Sequence, residues 1–236
     1  MKFAALIVVF LAAAAAADER RSGYDYMRAE TRAMQDDELA NPGMLAVMEG
    51  EGLWRRSGCA GCHQDMKGVA TRYPSFDPGK GLLNLEQRIN LCRTERQQAP
   101  ALAYESRELV ALTAFVASQS RGQPIQIFAH GESLERGKAT FYRRQGQVNL
   151  ACASCHEHNA GKRLAGNAIP QAHPTGYPLY RLEWQAVGSL QRRLRNCLAG
   201  IRAEALTYGA PELVELEFFL MWRANGMGLE TPAVRP

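Results

Sequence analysis

The sequence lacks any apolar run long enough to cross a bilayer. Its one extended apolar stretch begins at Phe3, passes Leu11 and ends in alanines at Ala17, just before Asp18-Glu19-Arg20-Arg21. That is shorter than the roughly 20 residues a membrane span requires, and it closes in small residues. The pattern predicts a secretory signal peptide over residues 1–17, cleaved after Ala17, and a mature protein that is soluble, periplasmic and not held in a membrane. A large excess of one charge is also missing. The formal net charge is +4, from 28 Lys and Arg against 24 Asp and Glu, too small for a nucleic-acid-binding surface.

Disulfide-like cysteine spacing is absent as well. Six cysteines in an exported chain would ordinarily mean three bridges, but four of them fall in two C-x-x-C-H strings, Cys59-Ala60-Gly61-Cys62-His63 and Cys152-Ala153-Ser154-Cys155-His156. Covalent haem attachment needs two thiols to add to the vinyl groups on one porphyrin edge, and an imidazole directly after them to reach the iron. A thioredoxin-like pair has no use for the histidine, and a zinc site would want further Cys or His ligands nearby. The expectation is two covalent haem c groups. Cys59 and Cys62 would hold one and Cys152 and Cys155 the other, with His63 and His156 as proximal iron ligands.

The two strings sit in a longer repeat. Leu53-Trp54-Arg55-Arg56 and Phe141-Tyr142-Arg143-Arg144 precede them, and segments ending at Cys92 and Cys197 follow. Each half then closes on apolar residues at helical spacing, Leu109, Leu112 and Phe115 in the first, Leu213, Leu216 and Phe219 in the second. The predicted fold is mainly α, two cytochrome c-like domains related by internal duplication. Residues 18–127 would form an N-terminal arm and the first domain, and 128–236 the second. The boundary falls near Arg121-Gly122-Gln123-Pro124, with His130-Gly131 opening the second half.

A distal methionine is missing from both halves. Met66 is too close to His63 to reach the opposite haem face, and Met221 and Met227 lie in or beyond the last helix. The first half has no histidine between His63 and His130. In the second, His158 is too near His156, which leaves His173 as a competitor that reads more simply as a hydrogen-bonded loop residue. Cys92 and Cys197 occupy the equivalent distal positions, each with an arginine four residues earlier. Histidine/thiolate ligation of both irons is therefore expected, and it would lower the reduction potential relative to methionine. A disulfide between Cys92 and Cys197 is the competing reading. Arg192, Arg193, Arg195 and Arg202 surround Cys197, whereas Glu86 and Glu95 dilute Arg88, Arg93 and Arg96 around Cys92. The second site is the better anion trap, although propionate binding would account for Arg192 and Arg195 equally well.

Several strings carry a resemblance to a known family. They are Gln35-Asp36-Asp37 with Asn41-Pro42-Gly43, Lys67-Gly68-Val69-Ala70 with Tyr73-Pro74, the run from Ala172 to Pro178, Tyr180-Arg181-Leu182-Glu183-Trp184, Gly188-Ser189-Leu190, and Glu230-Thr231-Pro232-Ala233-Val234-Arg235. From about Ser22 to its end the chain resembles the SoxA family, the dihaem subunits of the SoxAX cytochrome complex of thiosulfate oxidation. The resemblance implies an L-cysteine S-thiosulfotransferase that conjugates thiosulfate to a cysteine of the carrier protein SoxYZ, releasing two electrons to the haem of a SoxX partner. Cys197 would then be both iron ligand and catalytic sulfur, found in that family as a persulfide, and Arg193 would contact substrate. A dihaem electron-transfer subunit without covalent chemistry is the alternative.

Overall fold

Two glycines set how the main helices cross. The computed structural model describes residues 19–128 and 131–236; the expected signal peptide, and His130 at the expected start of the second half, lie outside them. Helix α1 (Ala29–Asp36) belongs to an N-terminal arm. The first half then runs through α2 (Gly43–Arg56), a hairpin of β1 (Ser75–Asp77) and β2 (Gly81–Leu83), α3 (Leu85–Arg96) and α4 (Arg107–Ser118). The second half repeats that order with α5 (Glu132–Tyr142), α6 (Cys152–His156), a small hairpin of β3 (Arg163–Leu164) and β4 (Asn167–Ala168), and strands β5 (Leu179–Arg181) and β6 (Ala186–Gly188). It ends with α7 (Leu190–Gly200), α8 (Pro211–Arg223) and β7 (Ala233–Arg235).

Helix α2 crosses α4 at Gly50, where a Cβ would stand 2.0 Å from the carbonyl oxygen of Ala111; α5 crosses α8 at Gly137, where a Cβ would stand 2.0 Å from that of Glu215. Only a residue without a side chain lets two helix backbones approach so closely, and it does so at matching places in the two halves. The predicted duplication is thus present in three dimensions, and the mainly helical, two-domain cytochrome c-like fold is the one observed.

The cysteine-bearing helices also start alike. Asn84 caps α3 by accepting from the Gln87 N–H, and Ser189 caps α7 by accepting from the Arg192 N–H. Each cap directly follows an antiparallel strand pair, β1 with β2 and β5 with β6. The second pair gains a third strand, because β7 adds parallel to β5 with Leu179 opposite Ala233.

The cores are less separate than the repeat suggests. One cluster gathers Trp54, Leu85, Leu112 and Val116 of the first half with Phe218 and Met221 of α8. The other joins Phe141, Leu194 and Leu198 to Leu213, Leu216, Phe219 and Leu220 of the same helix. Helix α8, buried along most of its length from Leu213 to Met221, contributes to both. The N-terminal arm packs against the second half. Arg20 donates to the carbonyls of Arg223 and Asn225, Asn41 donates to the Pro232 carbonyl at 2.9 Å, and Gln35 accepts from the Val234 N–H at 3.1 Å.

Candidate functional site

Helix α6 carries the second C-x-x-C-H string, and its position fixes the imidazole. His156 Nδ1 lies 2.7 Å from the Pro170 carbonyl oxygen, an outer hydrogen bond of the kind that orients metal-ligating histidines and leaves Nε2 to face a metal. Opposite stands α7. Its Ser189 cap sets the helical phase, so that Arg193 and Cys197, four residues apart, share one face. The Cys197 sulfur is close enough to His156 to share a hydrogen bond with it.

Burial works against the Cys197 thiolate. The hydrogen bond to His156, the Arg193 guanidinium, the charge of His156 and Arg181 together outweigh it and hold the thiol below its ordinary range. Cys152 behaves in the opposite way: burial pushes it up to about 11. Tyr177, also beside Cys197, is pushed up to about 12, again chiefly by burial.

His156, Tyr177, Arg181, Arg193 and Cys197, but not Cys152, line a cavity of about 530 Å³, within the roughly 300–1,000 Å³ range of cofactor pockets. Its walls include Leu179, Leu190, Leu194 and Leu220, together with Arg28, Arg163, Arg181, Arg193 and Arg235, and no aspartate or glutamate among the described residues. An apolar slot between a histidine and a cysteine, rimmed by guanidinium groups, fits a porphyrin with two carboxylates. Nor is any group of three or more His, Cys, Asp or Glu side chains arranged to hold a metal ion among the described residues. An iron held here would rest on an axial pair and a macrocycle rather than on a protein cage.

The arm supplies part of this wall through Gly23, Tyr26, Met27, Arg28 and Thr31, which sequence reasoning missed. No motif marks those residues, and the repeat begins only after them. His173 also lines the cavity; it is buried, with Nδ1 2.9 Å from the Arg21 carbonyl oxygen. Of the four arginines that the sequence clusters around Cys197, only Arg193 faces the cavity. Arg192 lies over the Trp184 ring at 4.3 Å, and Arg195 lies over Tyr208 at 4.3 Å while donating to the Leu206 carbonyl.

The first site is built differently. Cys59 begins a short 3-10 turn, and Cys62 and His63 are exposed. Gln97 donates to the Ser57 carbonyl at 2.7 Å and to the Cys59 sulfur at 3.4 Å, and the Trp54 ring lies 5.7 Å from His63. No hydrogen bond joins Cys92 to His63 among the described residues. All six cysteines are free, so Cys92 and Cys197 are not bridged. The acids also fall elsewhere than the sequence implied. Glu95 pairs with Lys80 at 2.5 Å and Glu86 lies within the electrostatic reach of Glu105, while Arg88 is met at 3.0 Å by Asp77 from β1.

The family model for the SoxA/TsdA cytochrome c domain matches residues 49–125 and 136–229. The chain belongs to that family. The L-cysteine S-thiosulfotransferase subunit SoxA of Pseudaminobacter salicylatoxidans is 39% identical to it, over 92% of this chain and 82% of the relative. The subunit of the same name from Rhodovulum sulfidophilum is 34% identical, over 92% and 81%. The crystal structure of SoxXA from P. pantotrophus superimposes with a TM-score of 0.88 at 30% identity, covering 92% of this chain and 87% of that one. As a SoxA/TsdA cytochrome c protein, the chain carries covalent haem c, and the cavity between His156 and Cys197 has the chemistry to receive it.

Proposed function

We propose that the chain is the dihaem subunit of a periplasmic L-cysteine S-thiosulfotransferase, paired with a SoxX cytochrome and acting on the carrier protein SoxYZ. The observation that carries this reading is Cys197, a thiol biased toward thiolate, in one acid-free cavity with His156 and Arg193. Cys59 and Cys62 would hold the first haem and Cys152 and Cys155 the second, with His63 and Cys92 as the residues offered to the first iron and His156 and Cys197 to the second. When bound, the second haem supplies an iron that tunes the cysteine sulfur and a one-electron acceptor.

The chain's own residues do the rest. Arg193 holds the sulfonate oxygens of thiosulfate through its planar fork. The Cys197 thiolate bonds to the sulfane sulfur, giving a cysteine S-thiosulfonate and releasing two electrons. The carrier's cysteine thiolate then attacks the sulfane sulfur, takes the thiosulfonate and restores the Cys197 thiolate. Across both steps, one carrier thiol and one thiosulfate yield one carrier S-thiosulfonate, one proton and two electrons, for which the partner SoxX cytochrome would be the acceptor. The proposed compartment is the periplasm, reached by the signal peptide ending at Ala17. No helix among the described residues is long and apolar enough to cross a membrane.

Mass spectrometry of the mature protein incubated with thiosulfate tests the reading. Two haem attachments and, in the absence of carrier, a thiosulfonate increment of two sulfurs and three oxygens on the Cys197 peptide are expected. A Cys197 that stays unmodified while the haems are reduced would point instead to a dihaem electron carrier without covalent chemistry.

A further inference from the structure

The duplication makes each site a control for the other. From the shared Tyr73-Pro74 and Tyr177-Pro178 steps the following strands run in register, so Ser75, Phe76 and Asp77 of β1 correspond to Leu179, Tyr180 and Arg181 of β5. The helix caps give a second register. Arg88 lies four residues after Asn84, and Arg193 four after Ser189. The two arginines are equivalent, and so are the strand residues facing them. In the first half that residue is an acid, with Asp77 Oδ2 3.0 Å from Arg88 Nη1. In the second half the same place holds Arg181, and no ion pair or hydrogen bond engages the Arg193 side chain among the described residues.

One substitution of sign thus turns a neutralised arginine into half of a guanidinium pair. Burial and the neighbouring Arg193 charge lower the Arg181 pKa, while Tyr177, Glu183 and Cys197 raise it, and the net lowering shows that the two guanidinium groups are incompletely neutralised. Arg181 is also held for the purpose. Its Nη2 donates to Glu183 at 2.7 Å and its guanidinium lies 5.3 Å from the Trp184 ring centre. That leaves Nε buried without a hydrogen-bond partner on a side chain only 12% exposed. A buried charged donor left unpaired is costly, so such a group signals a ligand.

We propose that Arg181 is a second oxyanion-binding residue, acting with Arg193 to hold the doubly charged sulfur substrate over Cys197. The inference rests on the thiosulfotransferase reading. A dianion with three terminal oxygens suits two guanidinium groups better than one, and it offers an acceptor to the idle Nε. A haem propionate has the same oxyanion chemistry, so the test must separate the two sources.

The test uses the haem-loaded complex carrying Arg181→Gln, with Arg181→Lys as the conservative variant. Three quantities are measured: the KM for thiosulfate, the Kd for labelled thiosulfate by equilibrium dialysis without carrier, and the potential of the second haem. In Arg181→Gln, KM and Kd should rise by about 10- to 100-fold, the loss of a charge-assisted hydrogen bond, with kcat nearly unchanged and the potential as in the parent. Arg181→Lys should recover part of the affinity. Unchanged KM and Kd in an active complex would overturn the assignment, as would a shifted potential with unchanged Kd, which would give Arg181 to the cofactor carboxylate. If the parent complex forms no conjugate at all, the functional reading itself fails.

Discussion

The first half exposes its Cys62 and His63 and neutralises the arginine on its cysteine helix, whereas the second anchors its histidine on a carbonyl and turns into its cavity an arginine that no ion pair engages among the described residues. Backbone order, helix crossings and caps are otherwise shared. The difference teaches that the scaffold does not make the chemistry. A few side chains around a fixed cysteine do, and they are easiest to recognise where the twin has something else.

The contrast can be broken most severely at the cysteines. Cys197→Ala should cut conjugation at least about 1,000-fold, the scale of losing a covalent nucleophile, with every haem still attached. Cys92→Ala should leave turnover within a few-fold, and both are read as carrier S-thiosulfonate formed per minute. The arginines give the next largest effect. Arg193→Gln should raise the thiosulfate KM by about 10- to 100-fold, while Arg88→Gln, which strips only a half-exposed ion pair, should leave KM unchanged.

The glycine crossings should instead show the halves to be alike. Gly50→Ala and Gly137→Ala each force a methyl against a backbone carbonyl, and each should cost about 1–3 kcal/mol, read as a fall in Tm of several degrees. If only one of them does so, the structural equivalence of the crossings is lost.

The smallest effect concerns Glu86, whose place in the second half is taken by Gln191. Burial raises its carboxyl to about 7, with Glu105 adding to the rise. A carboxyl raised on folding costs nothing while both states hold the proton, near pH 4. The cost grows as pH climbs from the unfolded pKa through 7. Glu86→Gln, which copies the second half, should therefore stabilise the protein by on the order of 1 kcal/mol at pH 8 and by nothing at pH 4. Denaturant unfolding at the two pH values would measure it.

Both C-x-x-C-H strings, the repeat and the matching places of Cys92 and Cys197 on α3 and α7 were legible in the sequence because each depends on short, fixed spacings. Arg193 was legible too, one helical turn before Cys197. What stayed hidden depends on partners brought together by folding. Asp77 reaches Arg88 across the turn of a hairpin, and Glu86 and Glu95, nearer in sequence, form no ion pair with it among the described residues. The arm lines the cavity through Gly23 to Thr31 and is tied to the second half by Gln35 and Asn41, whose hydrogen bonds to Val234 and Pro232 span some 190 residues or more. Composition and periodicity carry no trace of such contacts.

One further consequence attaches to α8, whose Phe218 and Met221 complete the first core while Leu213 and Phe219 complete the second. A gene for the first half alone would encode a protein with a hole where that helix belongs, and a gene for the second half alone would expose a greasy face. Whatever ancestor was doubled, its copies have since been welded. The sites they bear differ in chemistry, but each core is completed by the one helix, so loss of α8 packing should be felt in both halves at once.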